Sequence, residues 1–200
     1  MAGSLVGAIG RGWRDPRGTM ASQIDEGLDE SRALFHLMLA CGLLCLASMP
    51  GAVRASRAIE ADDPLSGAVA AYLFAYLFVL PLVAYGVAAL LRLVAQRFGG
   101  TGSYLAMRSA LFWTLLAGAP IALGLALLRV FAEAAPGAGL LPMVTLLGYA
   151  GLGIWIWLLA GAIAAAEGFG STMRVGGVIA VVFVGIGLLV SGLAGGGVAG

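Results

Sequence analysis

Five stretches of this chain carry no charged residue, and each is long enough to cross a bilayer. They cover residues 33–53, 64–91, 109–128, 134–166 and 175–200. An α-helix rises about 1.5 Å per residue, so a hydrocarbon core of about 30 Å takes about 20 residues. In lipid, each backbone N–H and C=O must pair within its own segment. No stretch alternates as a barrel strand would. The sequence therefore predicts an all-α membrane protein, a bundle of five transmembrane helices at about 33–53, 67–91, 106–130, 141–166 and 174–194. Residues 1–32 form an N-terminal segment before the bundle, and residues 195–200 a glycine-rich tail.

Composition excludes other classes. The chain is 61% hydrophobic and 10% charged, against about a quarter charged in soluble proteins. That rules out a soluble enzyme, a disordered tail and a nucleic-acid-binding domain. The net charge of +1 gives no general attraction for polyanions, so no nucleic-acid partner is expected. All eleven basic residues are arginine, and lysine and asparagine are absent. A GC-rich coding genome explains that more simply than a function does.

The arginines set an orientation. Arg11, Arg14, Arg17 and Arg32 precede the first span; Arg92, Arg97 and Arg108 lie between spans two and three, and Arg174 between four and five. These eight fall on one side, against Arg54, Arg57 and Arg129 on the other. Positive-inside then predicts a cytoplasmic N-terminus and, with five spans, an outside C-terminus. The first 32 residues hold nine charges and no apolar h-region, so the first span is expected to serve as an uncleaved signal. Leu5, Ile9 and Trp13 sit four apart with arginines between them. They suit a short interfacial helix ended by Pro16, with Trp13 at headgroup level. Gly3, Gly7 and Gly10 suit a frayed tail as well.

Boundary signals are plain. Asp29 or Ser31 can cap span one. Asp62-Asp63-Pro64 opens span two with acids at the positive end of the helix dipole and proline in the first turn. Gly99-Gly100-Thr101-Gly102 reads as a tight turn. Pro136-Gly137-Ala138-Gly139 breaks the chain, and Pro142 can begin span four. Gly168 and Gly170 end that span, and Ser171 or Thr172 can cap span five. Beyond Ser191 the glycine content predicts irregular backbone.

Pro81 and Pro120 lie inside spans two and three, each about 17 Å from the arginine-rich end. Each frees a backbone carbonyl and tends to kink its helix. Two kinks at matched depth would open a pocket, although membranes also tolerate ordinary interior prolines. Small residues form i, i+4 rows, with Gly118, Ala122 and Ala126 on span three and Gly161 and Ala165 on span four. Gly177, Val181 and Gly185 partly mark a face on span five. Such rows let membrane helices approach closely, in one bundle or between copies of the chain. Tyr72, Phe74 and Tyr76 crowd the outer half of span two as a belt or as packing. Trp155 and Trp157 point to different sides of span four.

Candidate chemistry is sparse. Cys41 and Cys45 share a helix face, but successive turns of one helix give poor disulfide geometry. The single histidine, His36, has no acidic partner nearby and too few soft ligands for a metal, so packing is its expected role. No acid lies deep in a span, which counts against a proton relay. Glu167 is expected to meet Arg174 across the last turn as an exposed pair worth little. No catalytic residue, metal ligand or cofactor site is assigned.

The order of features resembles the bacterial branch of the Yip family, membrane proteins named for interaction with Ypt/Rab GTPases. Arg14-Asp15-Pro16-Arg17, Ser-Arg-Ala-Leu (31–34), Met49-Pro50, Phe-Val-Leu-Pro-Leu (78–82), Gly99-Gly100-Thr101-Gly102 with Ala110-Leu111-Phe112-Trp113, Pro120 and Pro-Gly-Ala-Gly-Leu (136–140) carry it. It covers about residues 14–170; span five with its glycine-rich end departs from it. The resemblance implies five spans, a cytoplasmic N-terminus and no catalytic residues. The eukaryotic role in Golgi and ER traffic does not carry over, because bacteria lack that pathway.

Two functions remain in view. One is a non-enzymatic protein of the bacterial inner membrane that binds a membrane partner, associates with itself or organises lipid. Arg11, Arg14, Arg17, Arg92, Arg97 and Arg108 would then meet anionic headgroups or a partner, at roughly 1 kcal/mol each against lipid. The other is a small transporter or channel with a pocket at the Pro81 and Pro120 kinks.

Overall fold

The computed structural model describes residues 5–58, 60, 62–135 and 139–195, with side chains through residue 185 of the last helix. Its order is α1 (Leu5–Arg14), α2 (Pro16–Asp25), α3 (Glu30–Ser56), α4 (Pro64–Phe74), a π-turn (Ala75–Val79), α5 (Leu80–Arg97), α6 (Tyr104–Ala134), α7 (Leu141–Glu167) and α8 (Thr172–Gly195). Among the described residues there is no strand. Four helical stretches are long and apolar enough to cross a membrane: Glu30–Ser56, Pro64–Arg97, Tyr104–Ala134 and Leu141–Glu167. They contain the first four sequence-predicted spans and extend most of them by a few residues. Over its described side chains α8 is a shorter apolar helix, Thr172–Gly185.

We call proximal the end of the bundle that holds the start of α3 and the α5–α6 and α7–α8 turns. The distal end holds the α3–α4 and α6–α7 connections.

The capping signals act largely as read. Asp63 accepts from the Ser66 N–H at 3.2 Å, with Pro64 in the first turn. Hydrogen bonding from Ser66 holds the Asp63 carboxyl below its ordinary range. Ser103 caps α6 through a bond from the Ala106 N–H. Asp29 is the N-cap residue of α3, and its side chain takes the Ser31 hydroxyl instead of a backbone N–H. Residues 136–138 of the Pro-Gly-Ala-Gly-Leu turn lie outside the described residues. The helix α8 continues to Gly195, past the point where glycine predicted irregular backbone; residues 196–200 lie outside the description.

Three prolines sit in the interior of membrane-length helices, two of them inside a continuous α-helix and one just after a π-turn. Pro50 lies inside α3, in addition to the two expected. Pro81 follows the π-turn, where the Leu80 N–H reaches back five residues to Ala75 O. A widened turn of this kind shifts the hydrogen-bond register just before a residue that lacks a donor. Pro120 is carried inside a continuous α6.

Packing is unequal along the bundle. From Ala106 to Ala119 nearly every residue of α6 is buried, including Phe112 and Trp113, whereas beyond Ala119 only Ala132 is. In α7 the buried run is Leu158 to Glu167, apart from a half-buried Ala165. His36 sits in this proximal core with its ring edge-on to Trp113, centroids 5.2 Å apart. Cys41 and Cys45 are buried free thiols. Trp155 packs edge-on to Phe183, while Trp157 is exposed. Tyr72 stacks on Tyr76, and Phe74 and Phe78 are exposed beside them.

The N-terminal segment is two ordered helices docked on the bundle. Met20 of α2 is fully buried among Ala106, Ala110, Ala162 and Ala166. Leu5, Ala8 and Ile9 of α1 pack near Ala40, Leu116 and Leu158. Pro16 ends one helix and opens the next, as its fixed φ and missing N–H permit at a first turn. Trp13, expected at headgroup level, donates its indole N–H to Ala117 O of α6 at 2.8 Å. That carbonyl is one residue beyond Leu116 O, whose usual donor Pro120 cannot supply.

The small-residue rows work inside the chain. A Cβ at Gly118 would come 2.7 Å from Trp155 Cδ1, and one at Gly161 would come 2.6 Å from Pro16 Cγ. So the α7 row of Gly161 and Ala165 receives α2, not another long apolar helix. Ala122 lines an open cleft.

Candidate functional site

The most constrained polar site lies at the proximal end, where two helix termini meet. The end of α5 closes with Gly99 at φ +82°, Gly100 N–H on Ala95 O and Gly99 N–H on Gln96 O. The end of α7 closes in the same manner, with Gly168 at φ +71°, Phe169 N–H on Ala164 O and Gly168 N–H on Ala165 O. Both are Schellman closures, which need a left-handed residue that glycine adopts without strain. Glu167 is the last residue of α7, so its carboxylate falls between the two turns.

Arg92 reaches that carboxylate from α5. Its Nη1 donates to Glu167 Oε2 at 2.7 Å and to Gly100 O at 3.2 Å. The Gly102 N–H donates to the same carboxylate oxygen at 3.1 Å, and the Thr101 N–H to Glu167 O at 3.1 Å. The Glu167 side chain is fully buried and that of Arg92 is 9% exposed. Arg92 Nε and Glu167 Oε1 find no partner among the described residues. The glycines leave room for the acid: a Cβ at Gly100 would lie 2.5 Å from Glu167 Oε2, and one at Gly102 2.1 Å from Ala166 O.

This corrects two expectations. Glu167 is not an exposed partner of Arg174; it is buried against Arg92. Nor is Arg92 free to meet headgroups, because its guanidinium is spent inside the bundle. The sequence signal available was the spacing of glycines in Gly99-Gly100-Thr101-Gly102, which marks a tight turn without naming what it encloses.

The other five arginines of that group differ in availability. Arg108 is half-buried, 2.9 Å from Glu30 and over the Tyr85 ring at 5.6 Å, and Tyr85 also donates to Glu30. Arg11, Arg14, Arg17 and Arg97 are exposed. Arg17 makes one backbone bond, to Gly170 O at 3.1 Å.

Two clefts flank the core. The distal one, about 700 Å³, lies between α3 and α7 over α6, lined by Leu44, Pro50, Arg54, Ala126, Arg129 and Gly148 among others. The second, about 610 Å³, lies between α5, α7 and α8 around Phe98, Phe169 and Arg174. Neither Pro81 nor Pro120 lines either cleft. The π-turn precedes one proline, and α6 stays continuous through the other. Among the described residues no group of three His, Cys, Asp or Glu side chains comes together to hold a metal.

Four membrane-length apolar helices around a helical core define a multi-pass integral membrane protein. A family model described as the Yip1 domain matches residues 13–192, and the chain belongs to the Yip family. The match runs beyond the 14–170 of the sequence resemblance and takes in most of α8. No curated protein and no solved structure matches the chain.

Proposed function

We propose that this Yip-family chain is a non-enzymatic protein of the bacterial inner membrane that binds a membrane partner or organises lipid. What supports the reading is a set of exposed arginines on α1, on α2 and at the end of α5. Arg11, Arg14, Arg17 and Arg97 have no acidic partner among the described residues. The docked helices α1 and α2 hold three of the four on a fixed platform. Each would contribute roughly 1 kcal/mol against an anionic leaflet. Pull-down in mild detergent or nanodiscs, with mass spectrometry of proteins and lipids, tests this. A stoichiometric membrane partner or enriched anionic lipid is expected; a bare monomer without lipid preference would sink it.

The same reading has α8 cross as the fifth span, with the N-terminus cytoplasmic and the C-terminus outside. As a helix of 24 residues, α8 spans about 36 Å, enough for a bilayer core. A tag after residue 200 is then expected to be labelled from outside in intact cells, and a tag before residue 1 only after lysis. Labelling of both tags from one side would leave an even number of spans.

A further inference from the structure

The distal cleft has a charged mouth and an apolar floor. Arg54 and Arg129 both line it, and no acidic side chain does. Glu133 bridges the two arginines, 3.2 Å from Arg54 and 3.0 Å from Arg129. One carboxylate against two guanidiniums leaves a net positive charge at the mouth, with donors to spare. Below them the cleft is floored by Leu44, Leu125 and Leu152. A smaller cavity of about 290 Å³ shares these three residues and continues to Gly118 and Trp155. There Trp155 is seated on Gly118.

The length is informative. From Arg129 to Gly118 is about 17 Å along α6, close to half of a hydrocarbon core of about 30 Å. The groove thus has the depth of one leaflet, with cations where phosphates sit.

We propose that this groove holds one acyl chain of an anionic phospholipid, with the lipid phosphate on Arg54 and Arg129. The proposal rests on the lipid-organising reading above and adds a defined site, away from the proximal arginines. Shape and charge agree: an apolar slot one leaflet deep excludes a free inorganic anion from most of its volume, and the paired cations select against a zwitterionic headgroup.

Gly148 lines the cleft, and a Cβ there would meet nothing within 4 Å. Gly148→Leu therefore fills the groove without a clash at its first atom. Gly86 is equally open but lies on α5 outside the cleft, so Gly86→Leu is the control. The purified full-length chain is incubated with mixed micelles holding equal phosphatidylglycerol and phosphatidylcholine, then weighed intact by native mass spectrometry. Wild type and Gly86→Leu are expected to keep one phosphatidylglycerol. Gly148→Leu and the pair Arg54→Gln/Arg129→Gln are expected to keep about tenfold less, the equivalent of roughly two methylenes denied burial. Their thermal melts should match wild type. Retention by Gly148→Leu at the wild-type level would overturn the assignment while leaving lipid organisation elsewhere intact. Equal retention of the two lipids by wild type would overturn the selectivity for an anionic headgroup. The broader reading falls only if the pull-down also returns neither partner nor lipid preference.

Discussion

Glu167→Leu is expected to lower the stability of the bundle by about 3–5 kcal/mol, the usual cost of stranding one member of a buried ion pair. The substitution leaves the Arg92 guanidinium buried with Nε already unpartnered and only Gly100 O as acceptor. It also removes the acceptor for the Gly102 N–H. Helix α5 and the turn before α6 lose their common anchor at once, because Glu167 takes bonds from both. Arg92→Met should cost a similar amount, since it leaves a fully buried carboxylate with a single backbone donor. Removing both charges together is different. Arg92→Met/Glu167→Met deletes both desolvation penalties, and buried pairs replaced by apolar groups are often neutral. The double variant should therefore melt within about 1.5 kcal/mol of wild type. Reversible unfolding in detergent, run as a double-mutant cycle, measures the coupling. If each single variant costs under about 1 kcal/mol, the pair is solvated and the site is not a clamp.

The second large effect concerns the N-terminal helices. Gly161→Leu places a Cβ 2.6 Å from Pro16 Cγ and 3.1 Å from the Arg17 backbone nitrogen. A proline ring and a main-chain atom have no rotamer to escape into, so α2 must lift from α7. Lifting exposes Met20, which is fully buried, and strains the Trp13 bond to Ala117 O. Burial of one such side chain is worth about 1.5–3 kcal/mol. Amide protection in residues 16–25 is then expected to fall by roughly a hundredfold, local opening rather than global unfolding. The helix has little else to hold it: among its ten residues only Met20 and Ile24 are large and apolar. The proximal clamp should survive, because none of its hydrogen bonds involves α2. Unchanged exchange in 16–25 would mean that α2 yields in place and that Gly161 is not its seat. Collapse of the whole bundle would mean that α1 and α2 are part of the core.

The two results would separate what holds the proximal end. The Arg92–Glu167 clamp ties α5 to α7 through their C-terminal turns, whereas α2 lies along α6 and α7 and covers small residues. If both hold, the exposed Arg17 sits on an element that can be released without loss of the bundle. Its contact with lipid or partner is then separable by a single substitution, while Arg11 and Arg14 stay on α1.

The sequence by itself determined where the long apolar helices run and most of their ends. That information is local. A segment in lipid must satisfy its own backbone, so about 20 uncharged residues suffice to mark it. Caps such as Asp63-Pro64 act over one turn, and Gly99 and Gly168 mark left-handed closures for the same short-range reason. What met what was decided only by the tertiary structure. Arg92 read as one more arginine of a positive side, yet it is buried on an acid 75 residues away. Gly161 read as a seat for a neighbouring membrane helix and instead takes Pro16 of the polar N-terminal segment. The prolines promised a pocket at their own kinks, but neither of them lines the two larger clefts. The physical reason is common to all three. Helix faces in a chain this apolar differ little in hydrophobicity, so which faces pair depends on side-chain volume and on where a buried charge can find its partner.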